Sequence, residues 1–183
     1  MTLNEFFAHL DQQDDSLPMP VLVRLLQQLT VSETEMAHVI SFSETGYTRN
    51  VVRVTPIYAA LLLCWCPGQE SPIHDHHGSA CGVRVIKGTL TETQFKRHPD
   101  GRLEQMLRST LHAGKVCGSC DADIHIIGNE MADAGQNLIT LHVYTPPLKH
   151  FHYYFRDDPR VETVLDVETA AALRDYNVAA TTG

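Results

Sequence analysis

Between residues 49 and 144 the chain is a succession of short β-branched and aromatic runs, with no stretch of helical periodicity separating one from the next. The runs are Val51 to Val54, Tyr58 to Trp65, Gly82 to Ile86, Thr89 to Phe95, Leu103 to Leu107, Ile124 to Ile127 and Asn137 to Tyr144. Parallel neighbours need a long crossover connection, usually a helix, so strands that follow one another directly pair antiparallel. Lys87-Gly88 and Pro99-Asp100-Gly101 supply turns, because Gly accepts positive φ and Pro presets the bend. The pattern predicts a mainly β domain whose hairpins close into a small barrel or sandwich.

Helices are expected only outside this region. Leu3 to Leu10 and Val21 to Leu29 carry apolar residues at helical spacing, with Pro18 and Pro20 between them. Ser32 and Glu35 have the spacing of a capping box, which predicts a third helix ending near Val39 to Phe42. The Ala- and Leu-rich stretch Thr169 to Asp175 predicts one more, followed by a small, polar tail expected to fray. A chain of 183 residues fits one domain, with a helical segment over 1–45, a barrel core over 47–147 and a C-terminal extension over 148–183.

A formal net charge of −8, with Lys and Arg scattered, offers no basic stripe and argues against a nucleic-acid partner. The longest apolar run, Tyr58 to Cys66, is far below bilayer length, and the N-terminus lacks the pattern of a secretory leader. The expectation is a cytoplasmic monomer with no membrane partner. Most of the five cysteines are expected to be reduced thiols, since a chain of this size folds without disulfide staples. Cys117-Gly118-Ser119-Cys120 has redox-motif spacing but lacks the βα context of such motifs, and Cys64 and Cys66 share a strand face as small hydrophobes.

Pro72-Ile73-His74-Asp75-His76 is the most informative stretch. An extended chain places residues i and i+2 on one face, so His74 and His76 can grip a single ion. Neutral imidazole suits zinc, iron, copper or nickel, and the pair alone does not name the metal. A third ligand must come from His112, His125, His142, His150 or His152. His125 is favoured, because Ile124-His125-Ile126-Ile127 has the texture of a strand ending at the Gly128-Asn129 turn. Asp75 and His77 alternate away from the pair and are read as exposed groups or supports for the ligands. Thr140, His142 and Tyr144 also alternate, so a hydroxyl, an imidazole and a phenol share one face and can form a hydrogen-bond relay.

With Gly88 closing the run, Pro72-Ile73-His74-Asp75-His76 and Cys81 resemble the first cupin motif of the cysteine dioxygenases, the nonhaem iron thiol dioxygenases. Tyr47-Thr48-Arg49-Asn50, Cys64-Trp65, His125 and Leu141-His142-Val143-Tyr144-Thr145-Pro146-Pro147 are similar to that family's other signatures, in the same order and with similar separations. The resemblance spans residues 47 to 147 and implies a cupin-type barrel, the double-stranded β-helix, with N-terminal helices.

The resemblance further implies that His74, His76 and His125 hold Fe(2+), and that O2 and L-cysteine react there to give cysteine sulfinic acid. Three neutral ligands leave the ferrous charge uncompensated, so a thiolate and a neutral amine can join it. By the same resemblance Arg49 makes a paired contact with the substrate carboxylate and Tyr47 helps orient it. The relay would end with the Tyr144 hydroxyl near the iron, with Thr140 where a serine is commoner, and Cys81 stands where animal members join a cysteine to that tyrosine by a thioether. Thr145-Pro146 stands where the family often has a cis peptide, and Trp65 is read as core.

Three other readings compete. A sister enzyme of the same fold acts on 3-mercaptopropionate, but it typically has glutamine where this chain has Arg49. A noncatalytic cupin could bind the metal as a sensor or store. A zinc hydrolase would need a general base, and Asp75 is read as facing away.

Overall fold

The computed structural model describes residues 1–120, 123–130 and 135–182. In chain order the strands are β1 (Thr48–Val54), β2 (Ala59–Trp65), β3 (Ile73–His74), β4 (Ala80–Lys87), β5 (Thr89–Arg97), β6 (Leu103–His112), β7 (Val116–Ser119), β8 (Ile124–Gly128), β9 (Leu138–Thr145), β10 (His150–Phe155) and β11 (Asp158–Leu165). Helices α1 (Leu3–Asp11) and α2 (Met19–Gln28) precede them and α3 (Val167–Thr182) follows. One sheet has the order β1-β2-β9-β4-β7 and the other β11-β10-β3-β8-β5-β6. Every pairing is antiparallel.

Alternation along β2 and β9 explains why both are buried on both faces. Leu61, Leu63 and Trp65 with Leu138 and Tyr144 point into the barrel, where Leu90, Ile127 and Phe151 of the facing sheet meet them. Ala60, Leu62 and Cys64 with Ile139, Leu141 and Val143 point outward, against Phe6, Leu10, Leu22 and Leu26 of the N-terminal helices. Burying each such leucine contributes about 2 kcal/mol, which fastens the helices to the barrel. Helix α2 lies so close to β4 and β7 that a Cβ at Gly82 would stand 2.5 Å from Leu26 Cδ1, and one at Gly118 would stand 2.6 Å from Val23 Cγ2.

Several sequence expectations change. The Ser32–Glu35 box forms, with Ser32 N–H donating to Glu35 Oε2 at 2.9 Å and Glu35 N–H to Ser32 Oγ at 3.3 Å. The third helix does not: residues 33–39 make a chain of turns such as Met36 N–H to Glu33 O. Met36 alone in that stretch is fully buried, so no apolar face favours propagation beyond the first turn. Pro20 does not separate the first two helices but lies in the first turn of α2, where its missing N–H costs nothing. Residues 150–165, set outside the barrel by the sequence reading, supply β10 and β11 to the second sheet, and α3 continues to Thr182 where a frayed tail was expected. All five cysteines are free thiols. No helix among the described residues is long and apolar enough to cross a membrane.

Candidate metal centre

Strand β3 is two residues long and lies between β10 and β8. His74 stands directly opposite His125 across the β3–β8 pair, and residues so opposed project from the same face. His76 follows two residues later on the same side. The ligand atoms of His74, His76 and His125 all lie within 4.8 Å of one another, and no other His, Cys, Asp or Glu cluster among the described residues converges in this way.

Each imidazole is oriented through Nδ1. His74 Nδ1 donates to Pro72 O at 2.9 Å and His125 Nδ1 donates to Glu92 Oε1 at 2.8 Å. His76 Nδ1 pairs with the Ser119 hydroxyl at 3.1 Å. A carbonyl and a carboxylate can only accept, so the Nδ1 atoms of His74 and His125 carry the protons and their Nε2 atoms keep lone pairs. His125 Nε2 is buried with no hydrogen-bond partner, a costly state for a polar atom unless a cation takes the lone pair. Burial, reinforced by His125, pushes His74 down to about 3 and His76 well below the usual histidine range. Neutral imidazoles converging with no carboxylate among them fit a borderline transition metal such as iron or zinc.

The other histidines are engaged elsewhere. His112 meets the Thr89 hydroxyl at 3.1 Å, and the His77 ring packs tilted against His150 and edge-on against His152 at ring separations of 4.1 and 4.6 Å. Asp75 faces away from the trio, as its alternation predicts. Its carboxylate accepts from His152 N and Nδ1 and from Tyr154 Oη at 2.8 to 2.9 Å, which ties the ligand-bearing segment to β10. Burial alone would raise this carboxyl, but the hydrogen bonds outweigh it and hold it below its ordinary value.

Thr140, His142 and Tyr144 lie on the inner face of β9, as their alternation predicts. Thr140 Oγ1 meets His142 Nε2 at 2.9 Å, and His142 Nδ1 meets Tyr144 Oη at 3.4 Å. Trp65 Nε1 donates to Thr140 Oγ1 at 3.0 Å, a role that reading Trp65 as core had missed. An indole can only donate, so the Thr140 oxygen accepts from Trp65 and its own hydrogen is free for His142 Nε2. Burial, with Arg49 adding to it, keeps His142 well below the usual histidine range, and burial beside Cys81 keeps the Tyr144 phenol protonated. The Tyr144 ring lies 5.8 Å from that of His76, and Tyr47 stacks on Trp65 at 4.2 Å. Cys81 stands directly opposite Tyr144 across the β4–β9 pair, and both are buried.

Arg49 reaches the same interior from β1, close enough for its charge to act on His74, His76 and His142. It is not alone there, because Asp166 Oδ2 accepts from its Nη2 and Glu168 Oε2 lies 3.7 Å from its Nε. Sequence reading missed Glu92, Ser119 and Asp166. Glu92 had left a trace, a carboxylate on an inward-facing position between Thr91 and Thr93, and Asp166 another, a capping residue just ahead of a helix.

A family model described as "Cysteine dioxygenase type I" matches residues 4–157. The chain belongs to the cysteine dioxygenase type I family. Relatives named "Cysteine dioxygenase type 1" include that of Rattus norvegicus, 28% identical over 156 residues covering 83% of this chain and 74% of that protein. That of Danio rerio is 27% identical over 155 residues, covering 81% and 76%. Among solved structures, a double-stranded β-helix protein from Klebsiella pneumoniae superposes with a TM-score of 0.51 at 20% identity, over 66% of this chain and 94% of the other. A protein from Thermus thermophilus gives 0.50 at 18% identity, over 61% and 94%. The chain is thus a cysteine dioxygenase family member with the cupin fold its motifs imply, a dioxygenase-class oxidoreductase built around a three-histidine site.

Proposed function

We propose that this protein is an iron-dependent thiol dioxygenase that converts L-cysteine and O2 into cysteine sulfinic acid. The observation that carries the reading is an all-imidazole donor set with a partly buried guanidinium in electrostatic reach of it. Uncharged ligands leave a divalent ion free to accept the negative charge of a thiolate, and the guanidinium gives the substrate carboxylate a partner. When bound in this cradle of His74, His76 and His125, ferrous iron supplies the redox chemistry that lets O2 react with thiolate sulfur.

The chain's own residues bind and orient. Arg49 receives the carboxylate, and Tyr47, held flat against Trp65, closes the same side of the site. With His142 Nδ1–H directed at the Tyr144 oxygen, the phenol hydrogen is left to donate toward the oxygen atoms being transferred. Sulfur gives up four electrons, both atoms of O2 take them and end on sulfur, and no external reductant is needed. Cys81 and Tyr144 join as a thioether: the thiol hydrogen and one ring hydrogen are lost, and two electrons and two protons pass to O2. The bond positions the phenol before substrate arrives.

An oxygen electrode with a panel of thiols tests the reading. One O2 consumed per cysteine, with a product heavier by two oxygen atoms, is expected from protein reconstituted with ferrous iron. Absence of O2 uptake with every thiol overturns it.

A further inference from the structure

Tyr153 projects from the same face as the metal ligands. It stands directly opposite His74 across the β3–β10 pair, and residues so opposed share a face. Its ring packs against that of Phe151 at 5.2 Å, and Phe151 in turn meets the His74 ring at 6.1 Å. Tyr47, just ahead of β1, and Tyr153 in β10 both border the inner core that contains Tyr144 and Trp65, so two phenols enter one interior from different sheets. Tyr154, next along the chain, turns the other way and gives its hydroxyl to Asp75. Tyr153 is partly buried, and no hydrogen bond among the described residues occupies its hydroxyl. Burial, opposed by Arg49 and aided by Glu168 and Asp166, holds this phenol above its ordinary value, so it keeps its hydrogen and lies in electrostatic reach of all three.

We infer that Tyr153 is a substrate-binding residue whose hydroxyl donates to the substrate carboxylate beside Arg49. The inference rests on the thiol dioxygenase reading and deepens it, adding a donor from β10 to Arg49 and Tyr47. Arg49 has use for such a partner. Its Nη2 already donates to Asp166 Oδ2 and its Nε lies 3.7 Å from Glu168 Oε2, so part of the fork is engaged before substrate arrives. A carboxylate has about four lone-pair sites, and a guanidinium shared in this way leaves some of them unfilled. Taking a charged acceptor out of water without a donor is costly, so a second hydroxyl at that place tightens binding. The carboxylate is the part of the substrate within its reach, because Arg49 receives that group while the sulfur goes to the metal.

Calorimetric binding of three thiols to the iron-loaded protein without O2 tests it in wild type and Tyr153→Phe. L-cysteine and 3-mercaptopropionate carry the carboxylate, and cysteamine lacks it. Phenylalanine keeps the ring against Phe151 and removes only the oxygen, so packing is retained. The Kd for both carboxylate thiols should rise about tenfold or more, the scale of a hydrogen bond to a charged group, while the Kd for cysteamine and the iron content stay constant. Steady-state O2 uptake should show the same loss as a raised KM for cysteine with kcat little changed. Unchanged Kd values for the carboxylate thiols reduce Tyr153 to a wall of the site and overturn the inference. Equal weakening of all three thiols also overturns it, because the effect is then not exerted on the carboxylate. A failure of the dioxygenase reading shows separately, in wild type: with no O2 uptake from any thiol that reading falls, and the inference with it.

Discussion

The Trp65 indole donates to the Thr140 hydroxyl at 3.0 Å, and this contact leaves the Thr140 hydrogen free for the chain of groups that ends at Tyr144. In the proposed relay the Thr140 hydrogen goes to His142 Nε2 and the His142 Nδ1 hydrogen to Tyr144, and Trp65 supports it by occupying an acceptor site of Thr140. Trp65→Phe keeps an apolar ring there and removes the donor, and Thr140→Val removes the hydroxyl while keeping its shape. Both should lower kcat by about ten- to a hundredfold with little change in KM or iron content, and Thr140→Ser should retain most activity. Steady-state O2 uptake with metal analysis separates these outcomes.

Glu92 holds His125 by the Nδ1 proton from a buried position. Glu92→Gln keeps the shape but replaces a charge-assisted bond, and should weaken iron binding by about 10- to 100-fold. Competition against a chelator of known affinity reads this directly. Unchanged affinity would show that His125 is held by strand pairing alone.

Arg49→Ala removes a carboxylate contact and no ligand, so kcat/KM for cysteine should fall by about a hundredfold or more while iron content stays constant. It also leaves Asp166 buried without its cation, which should cost on the order of 3 kcal/mol in urea unfolding. Adding Asp166→Asn should return much of that stability but none of the activity. Wild-type kinetics in Arg49→Ala would remove the assignment.

Asp75 links the acid stability of the fold to the site. Its carboxyl lies below its ordinary value in the folded protein, so the stability it contributes is complete above the unfolded carboxyl value and is lost as pH falls through the lower folded one. Asp75→Asn should therefore lower the stability measured by urea unfolding near neutrality, by about 1 to 3 kcal/mol, and flatten its decline between about pH 5 and 3. Parallel curves for wild type and variant over that range would exclude Asp75 as the linked group.

The opposed placement of Cys81 and Tyr144 predicts a mass change. Intact protein incubated with iron, cysteine and O2 should lose two hydrogens, and Cys81→Ser should lose none. If the two proteins behave alike, there is no thioether.

The parts of the fold that were legible in the sequence are those in which neighbours along the chain carry the signal. Apolar, β-branched and aromatic runs marked β2 and β9, and alternation placed Thr140, His142 and Tyr144 on one face, as observed. His-x-His in an extended segment marked two ligand candidates for the same reason. β10 and β11 escaped notice because polar and charged residues fill β11, which is mostly exposed and is held by pairing with β10 rather than by burial. The helix expected after Ser32 failed for the converse reason, a correct local cap with no tertiary face to pack.

Unaided, then, the amino-acid order marked β1, β2, β4, β5, β6, β8 and β9 by their composition, and the histidine pair and the shared face of the relay by the two-residue repeat of side-chain direction within one strand. Only the tertiary structure decided that His74 opposes His125, that Cys81 opposes Tyr144, and that Glu92 and Asp166 hold residues 33 and 117 positions away. Register between strands and the burial of a charge against its partner arise from packing of distant segments, and no local pattern encodes them.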